Sequence, residues 1–199
     1  MLSDTQKIIK RTFDFTLAVS ILLFIWWFIL LLAIISSIDT KKSGIFIQER
    51  IGYKGLPFKI YKIRTMKSSN EIELSNITTK NDKRITKIGR KIRHYKLDEL
   101  PQIINVIIGN MSFVGPRPDF KGYADNLKGD DRILLTVKPG ITGPASIYFK
   151  NEEDLLENQS NPVNYNDNVI WPKKVELNKD YIKNYSFIND ITYIYKTII

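Results

Sequence analysis

The sequence has no cysteine and a single histidine, His94. Without cysteine there is no disulfide, no thiolate-held zinc or iron–sulfur cluster and no thiol nucleophile. One histidine excludes multi-histidine metal sites and argues against a serine–histidine pair. Any catalysis must therefore rest on carboxylates, lysine, arginine, hydroxyls or a hard metal ion. The first forty residues also lack glycine and proline, and from Phe15 to Ile38 no charged side chain occurs for 24 residues. What is present is ordinary for a folded chain: 199 residues, 43% of them hydrophobic, which suits one functional unit and excludes wholesale disorder.

The net charge of +9 is unevenly placed. In residues 1–40 three bases balance three acids, residues 41–96 carry sixteen bases against four acids, and residues 97–199 eleven against fourteen. A field concentrated in this way favours a polyanion or an anionic membrane surface. The uncharged run would make a helix about 36 Å long, against a hydrocarbon core of about 30 Å. It is longer than a secretory signal core, and Ser36-Ser37-Ile38-Asp39 makes a poor cleavage site. The expected division is a membrane-embedded helix over residues 1–40 and an interfacial catalytic unit over 41–199. Both flanks of the run are basic (Lys7, Lys10 and Arg11 before it, Lys41 and Lys42 after it), and basic flanks stay cytoplasmic. Trp26 and Trp27 at mid-run also suit a shallow path. These features favour a helix that enters and returns, against which stands the absence of any bend-marking Pro or Gly.

Beyond residue 40, Ile45 to Ile51 and Phe58 to Ile63 read as strands flanking a Gly52–Pro57 turn, a β-hairpin. The polar stretch Lys67 to Asp82 reads as a loop. Ile85, Ile88, Ile92 and Tyr95 recur at helical spacing among lysines and arginines over 84–96. That pattern suits either a helix lying on an anionic bilayer or a core-facing helix with a solvated basic face. A further helical pattern runs from Leu177 through Tyr181, Tyr185, Ile188 and Ile191 to Ile198.

The chemically informative segment is Leu97-Asp98-Glu99-Leu100-Pro101-Gln102. Pro101 and the apolar residues after it place Asp98 and Glu99 at a helix start, where the dipole favours carboxylate and phosphate. Two such carboxylates can be mere capping residues. The basic stretch before them and Arg117, held between prolines in Gly115-Pro116-Arg117-Pro118, add phosphate-binding chemistry. Carboxylates for Mg²⁺ or nucleophilic attack, with bases for phosphates, form a set suited to phosphoryl transfer.

An ordered series of segments resembles the small monotopic phosphoglycosyltransferases, the bacterial sugar transferases that initiate glycan assembly on polyprenol phosphate. The series runs Lys10-Arg11-Thr12-Phe13-Asp14, Phe46-Ile47-Gln48-Glu49-Arg50-Ile51-Gly52, Pro57–Met66, Ile88-Gly89-Arg90, the segment around Asp98, Gly109–Pro118 and Lys138–Gly143. The resemblance implies an α+β fold, mainly helical with a small β-hairpin, with an N-terminal re-entrant membrane helix and a catalytic domain on the cytoplasmic face of the bacterial inner membrane. It implies transfer of a sugar 1-phosphate from a nucleotide diphosphate sugar, usually a UDP-sugar, to polyprenol phosphate, with release of UMP and the start of surface glycan assembly. It makes Asp98 the nucleophile that forms a phospho-sugar aspartyl intermediate, and Glu99 the partner carboxylate associated with Mg²⁺, Asp98 being the other candidate ligand. Lys59, Lys62, Arg64, Arg93 and Arg117 are then candidate phosphate contacts. The lack of an appended multi-span domain suggests the minimal catalytic form. The chain departs from the family at Trp26-Trp27, where Ser-Pro is common, at Lys96, where a hydroxyl residue is usual, and at Asn110, where Asp is usual. The alternatives are a lipid-binding scaffold indifferent to Asp98 and a nucleic-acid binder. The second explains neither the uncharged run nor the Asp-Glu pair.

Overall fold

The computed structural model describes residues 2–67 and 82–198. The chain opens with α1 (Asp4–Thr40), a continuous helix of 37 residues, about 55 Å long. A reciprocal Ser3–Gln6 capping box starts it, and Lys41 ends it in the left-handed conformation at φ 55°. Its buried residues (Lys10, Asp14, Ala18, Ile29, Leu32, Ser36 and Thr40) recur mostly at steps of three and four and make one stripe. Away from that stripe, Leu23, Phe24, Trp26, Trp27, Leu30 and Leu31 are exposed.

The stripe meets the rest of the chain at both ends of the helix. Near the start, Lys10 pairs with Asp190 at 2.5 Å. Arg11 donates to the carbonyls of Val106 and Ile107 at 2.6 and 2.8 Å, and Asp14 accepts the Phe113 N–H at 3.1 Å. Near the end, the Ser36 hydroxyl donates to the Arg64 carbonyl, and Ser37 accepts the Gly44 N–H at 2.7 Å. Gly44 lies so close to the Ala33 backbone that a Cβ would collide with it.

The expected hairpin is present as β1 (Ile45–Ile51) and β2 (Pro57–Ile63), antiparallel with Gln48 opposite Ile60. α2 (Lys87–His94), capped by Thr86, follows the loop stretch, which between Lys67 and Asp82 lies outside the described residues. α2 combines the two expected faces: Ile85 just ahead of it and Ile92 are buried, while Ile88 and Tyr95 at its end are exposed. α3 (Gln102–Ile108) packs on both α1 and β2. Its buried Asn105 accepts the Tyr61 N–H at 3.1 Å and donates to the Lys59 carbonyl at 2.7 Å, which satisfies the outer edge of β2.

β3 (Ser112–Val114) pairs in parallel with β4 (Gly140–Thr142), a small sheet that the sequence pattern did not announce. Just beyond it, Gly115 and Gly140 approach backbone to backbone, leaving no room for a Cβ at either. Four short and long helices complete the chain after β4: α4 (Pro144–Tyr148), α5 (Glu152–Glu157), α6 (Pro162–Tyr165) and α7 (Trp171–Lys183), with α8 (Phe187–Ile198) closing it. The single helical pattern read over 177–198 is thus two helices, broken at 184–186 so that α8 folds back and sets Asp190 against Lys10.

The main core gathers Ile51, Ile60, Ile103, Val106, Met111, Val114, Leu134 and Ile182. A second cluster of Ile29, Leu32, Ile63 and Ile92 lies beneath the later half of α1. Each such side chain contributes about 1.5–3 kcal/mol through removal from water.

Candidate active site

The two carboxylates stand on a 3-10 turn over Leu97–Glu99, one turn ahead of α3 rather than inside its first turn as the sequence suggested. The reason is Pro101. It has no N–H to give the Leu97 carbonyl, so that carbonyl accepts from Leu100 instead, at 3.3 Å. Lys96, in the left-handed region at φ 53°, turns the chain from α2 into this lead-in. With three residues per turn, neighbouring side chains diverge, so Asp98 and Glu99 reach different surroundings.

Glu99 is largely buried and sits in a guanidinium fork. Arg117 Nη1 lies 3.2 Å from Oε2, and Nη2 donates to Oε1. Lys62 Nζ lies 3.7 Å from the same carboxylate. Burial disfavours the Glu99 anion, but Arg117 and Lys62 outweigh it and bring its pKa down to about 2. The Glu99 charge in turn raises that of Arg117, while burial lowers that of Lys62. The Arg117 side chain remains 40% exposed, so an incoming phosphate can reach the guanidinium.

Asp98 differs. No hydrogen-bond donor among the described residues meets its carboxylate, and burial and the neighbouring Glu99 charge raise its pKa against the pull of Lys62, Arg93 and Arg117. It is a half-buried, unpaired carboxylate surrounded by cations, a suitable state for a nucleophile.

Three of the five candidate phosphate contacts converge here. Lys62 and Arg117 bracket Glu99, and Arg93 on α2 acts on Asp98 while its guanidinium is held by Glu153. Lys59 and Arg64 do not join them. Lys59 is exposed, three positions from Lys62 and so on the opposite face of β2. Arg64 lies past the strand end, where its Nε donates to the Ser43 carbonyl at 2.6 Å and its guanidinium sits 5.2 Å from the Phe46 ring.

Other residues enter that residue-type reasoning had not singled out for the site. Arg50 is packed behind Arg117, 3.3 Å over the Phe120 ring, donating to Gln48 at 2.8 Å and to the Pro118 carbonyl at 3.3 Å. Burial and the Arg117 charge lower its pKa to about 10. Burial raises Asp119 to about 6 despite Lys174, Arg50 and Arg117. Lys174 pairs with Glu152 at 2.7 Å. Arg50 lay inside the quoted Gln48-Glu49-Arg50 segment; Asp119 and Glu152 carried no spacing signal.

As to a metal, no group of three or more metal-ligating side chains occurs among the described residues. Glu99 is already neutralised by Arg117 and Lys62, so Asp98 is the one unpaired carboxylate of the pair. This donor set is too poor for a resident cation. It fits a magnesium ion that arrives with a diphosphate, since Mg²⁺ is commonly held by one or two carboxylates plus phosphate oxygens.

Comparison with known proteins points the same way. The profile of a family described as bacterial sugar transferase matches residues 5–199. The chain is 36% identical to UDP-glucose:undecaprenyl-phosphate glucose-1-phosphate transferase of Escherichia coli over 99% of its own length and 41% of that protein's. It is 35% identical to the sugar transferase EpsL of Bacillus subtilis, covering 96% of this chain and 86% of that one. It is 31% identical to the exopolysaccharide production protein ExoY of Rhizobium meliloti, covering 95% and 83%. The chain thus spans about two fifths of the Escherichia coli protein and most of the other two.

Proposed function

The chain belongs to the bacterial sugar transferase family, and from that membership we propose that it moves a sugar 1-phosphate from a UDP-sugar to undecaprenol phosphate through a covalent intermediate on Asp98. The observation that carries this reading is the division of labour between adjacent carboxylates: Glu99 forked by Arg117, Asp98 left unpaired among cations.

In the first step an Asp98 carboxylate oxygen attacks the β-phosphorus of the donor. A phosphorus–oxygen bond forms to Asp98, the bond from that phosphorus to the oxygen bridging the two phosphates breaks, and UMP departs with the electron pair. In the second step an oxygen of the lipid phosphate attacks the same phosphorus and the carboxylate leaves, which restores Asp98. Splitting the transfer lets a water-borne donor and a membrane-bound acceptor use one carboxylate in turn. Arg117, Lys62 and Arg93 offset charge on the phosphate oxygens as the bond breaks. A magnesium ion arriving with the donor would be held by Asp98 together with phosphate oxygens, Glu99 staying in the Arg117 fork, and would supply further charge neutralisation.

The contacts of α1 support the membrane placement in this reading. Its early residues bind α3, β3 and α8, and its later residues bind the base of the hairpin. A helix that crossed about 30 Å of hydrocarbon would carry Lys10 and Asp14 away from Asp190 and Phe113. We therefore place α1 within one leaflet, its exposed Leu, Phe and Trp side chains toward lipid and the catalytic domain on the cytoplasmic side with both basic flanks.

The test is to incubate the purified protein with Mg²⁺ and UDP-sugar labelled in the sugar, without lipid acceptor, and to map the adduct by mass spectrometry. The expected result is label on residue 98, release of UMP, and neither with Asp98→Asn. Label that persists in Asp98→Asn, or product formed with residue 98 unmodified throughout, defeats the reading.

A further inference from the structure

A cleft of about 440 Å³ is lined by Gly122, Tyr123, Asn126, Leu127, Asp167 and Trp171, and the phosphoryl chemistry makes no use of it. It is connected to the site by two routes. Along the chain, Tyr123 lies six positions after Arg117, a reach of at most about 22 Å. Asp119 stands between them, its charge acting on Tyr123 and that of Arg117 acting on it. Along α7, Lys174, one turn after Trp171, bonds Glu152, whose charge acts on Arg117.

The backbone of the cleft is unusual. Residues Asn166–Ile170 form a π turn in which the Trp171 N–H donates to the Asn166 carbonyl five residues back, directly before Pro172. Such turns are rare and concentrate at functional sites. This one buries Asn166 and turns Asp167 toward Tyr123.

The polar lining offers a ligand mainly hydrogen-bond acceptors. The Asn126 amide nitrogen gives one N–H to the Gly122 carbonyl at 2.9 Å, which leaves its oxygen and one N–H for a ligand. The Tyr123 hydroxyl donates to Asp167 Oδ1 at 2.7 Å, and Asn166 donates to the same oxygen at 3.1 Å. Asp167 Oδ2 has no donor among the described residues. In the same lining, Trp171 stands at 69° to Tyr123 with ring centroids 5.3 Å apart, and Leu127 adds a second apolar side chain.

The geometry points to this cleft as the subsite for the polyhydroxylated sugar ring of the donor, an inference that rests on the proposed function. Sugar hydroxyls donate to Asn126 and Asp167, and the C–H face of the ring lies on the negative face of Trp171. A uracil ring presents two carbonyl acceptors and one N–H, a poorer match to this mainly acceptor wall than a ring of hydroxyls. The phosphates are excluded by the Asp167 charge and stay with Arg117. Asn126 and Asp167 are then the residues that discriminate hydroxyl epimers.

The experiment measures KM for a UDP-sugar and the inhibition constant of UDP, which has the nucleotide without the sugar, in the full chain and in Asp167→Asn and Trp171→Ala. KM is expected to rise by about tenfold in each, the cost of a lost charged hydrogen bond or stacking surface. UDP inhibition should stay within about twofold, and the ratio of kcat/KM between UDP-glucose and UDP-galactose should change in Asp167→Asn. Asp167 is exposed, so that variant keeps the test intact if Trp171→Ala fails to fold. A parallel loss of UDP inhibition would assign the cleft to the nucleoside, and unchanged KM in Asp167→Asn would remove it from donor binding; either overturns the proposal. Failure of the unaltered chain to form a labelled adduct with any UDP-sugar is a separate result, and defeats the proposed function instead.

Discussion

Arg117 holds Glu99 in a two-pronged guanidinium fork, with Lys62 3.7 Å away on the same carboxylate. The arrangement neutralises one member of an adjacent acidic pair and leaves the other, Asp98, without a hydrogen-bond partner among the described residues. It also leaves the Arg117 side chain partly exposed, where the proposed reading seats the donor's diphosphate.

Replacing Arg117 should therefore be far more harmful to rate than to fold. Lysine carries the charge but cannot fork, so Arg117→Lys is expected to resemble Arg117→Ala rather than the unaltered protein. UMP release should fall in kcat/KM by roughly 10²–10³, the usual cost of one lost charge-stabilising donor. Melting should shift little, because the Arg117 side chain is 40% exposed and Lys62 remains beside Glu99. Activity restored by lysine would show that charge alone matters at this position.

Asp98→Asn should abolish transfer yet stabilise the chain above mildly acidic pH. The folded Asp98 pKa is raised above its ordinary 3.8 by burial and by the Glu99 charge. Its contribution to stability is then complete below the unfolded value and is lost as pH rises through the folded one. Asparagine cannot ionise and escapes that loss. The same shift means that, with the Asp98 anion as the proposed nucleophile, the rate of the unaltered enzyme is expected to rise with pH through the raised Asp98 value. Glu99 acts oppositely: its stabilisation is present above 4.5 and lost as pH falls through about 2. Melting curves of both proteins from pH 4 to 8 check this; a less stable Asp98→Asn at neutral pH would contradict it.

Much of this architecture was legible in the sequence, and the failures have identifiable causes. The hairpin boundaries followed from β-branched runs around Gly52–Pro57, and α1 from an uncharged run without Gly or Pro. The adjacent acids and the Pro-flanked Arg117 were found from residue type and turn chemistry. Lys59 was misplaced because clustering of charge says nothing about strand period: three steps along β2 reverse the face. Arg64 was misplaced because the strand stops at Ile63 and the side chain turns back to Ser43. The 3-10 lead-in needed the effect of Pro101 on the Leu97 carbonyl, which acts four residues upstream. Asp119, Arg50 and the Lys10–Asp190 pair depend on contacts between distant segments, 180 residues apart for the last, and no local pattern encodes those.

That pair gives a prediction about anchoring. Lys10 and Asp190 are both buried, and Asp190 also accepts from the Tyr181 hydroxyl at 2.7 Å and from Tyr185 at 3.3 Å. Lys10→Met leaves the carboxylate buried without its cation, at a cost of about 3–5 kcal/mol. The double variant Lys10→Met/Asp190→Leu removes both charges and should recover most of that loss. Thermal unfolding in detergent or lipid discs is the measurement. If the double variant is no more stable than Lys10→Met, the pair is not coupled as the structure has it.

Magnesium should matter for turnover and not for the resting protein. Glu99 has its counter-charges supplied by Arg117 and Lys62, and among the described residues no third acidic or histidine ligand joins Asp98. A cation held by protein alone would have to displace the fork, losing charge-assisted hydrogen bonds for a single free carboxylate. A cation already on a diphosphate brings its own oxygen ligands and needs only that carboxylate. A chelator is therefore expected to stop UMP release while leaving the melting temperature of the substrate-free protein unchanged. Added Mg²⁺ should tighten UDP binding, with little effect on melting when UDP is absent. A chelator that lowered melting without nucleotide would reveal a resident ion and require Glu99 to leave Arg117 in the ground state.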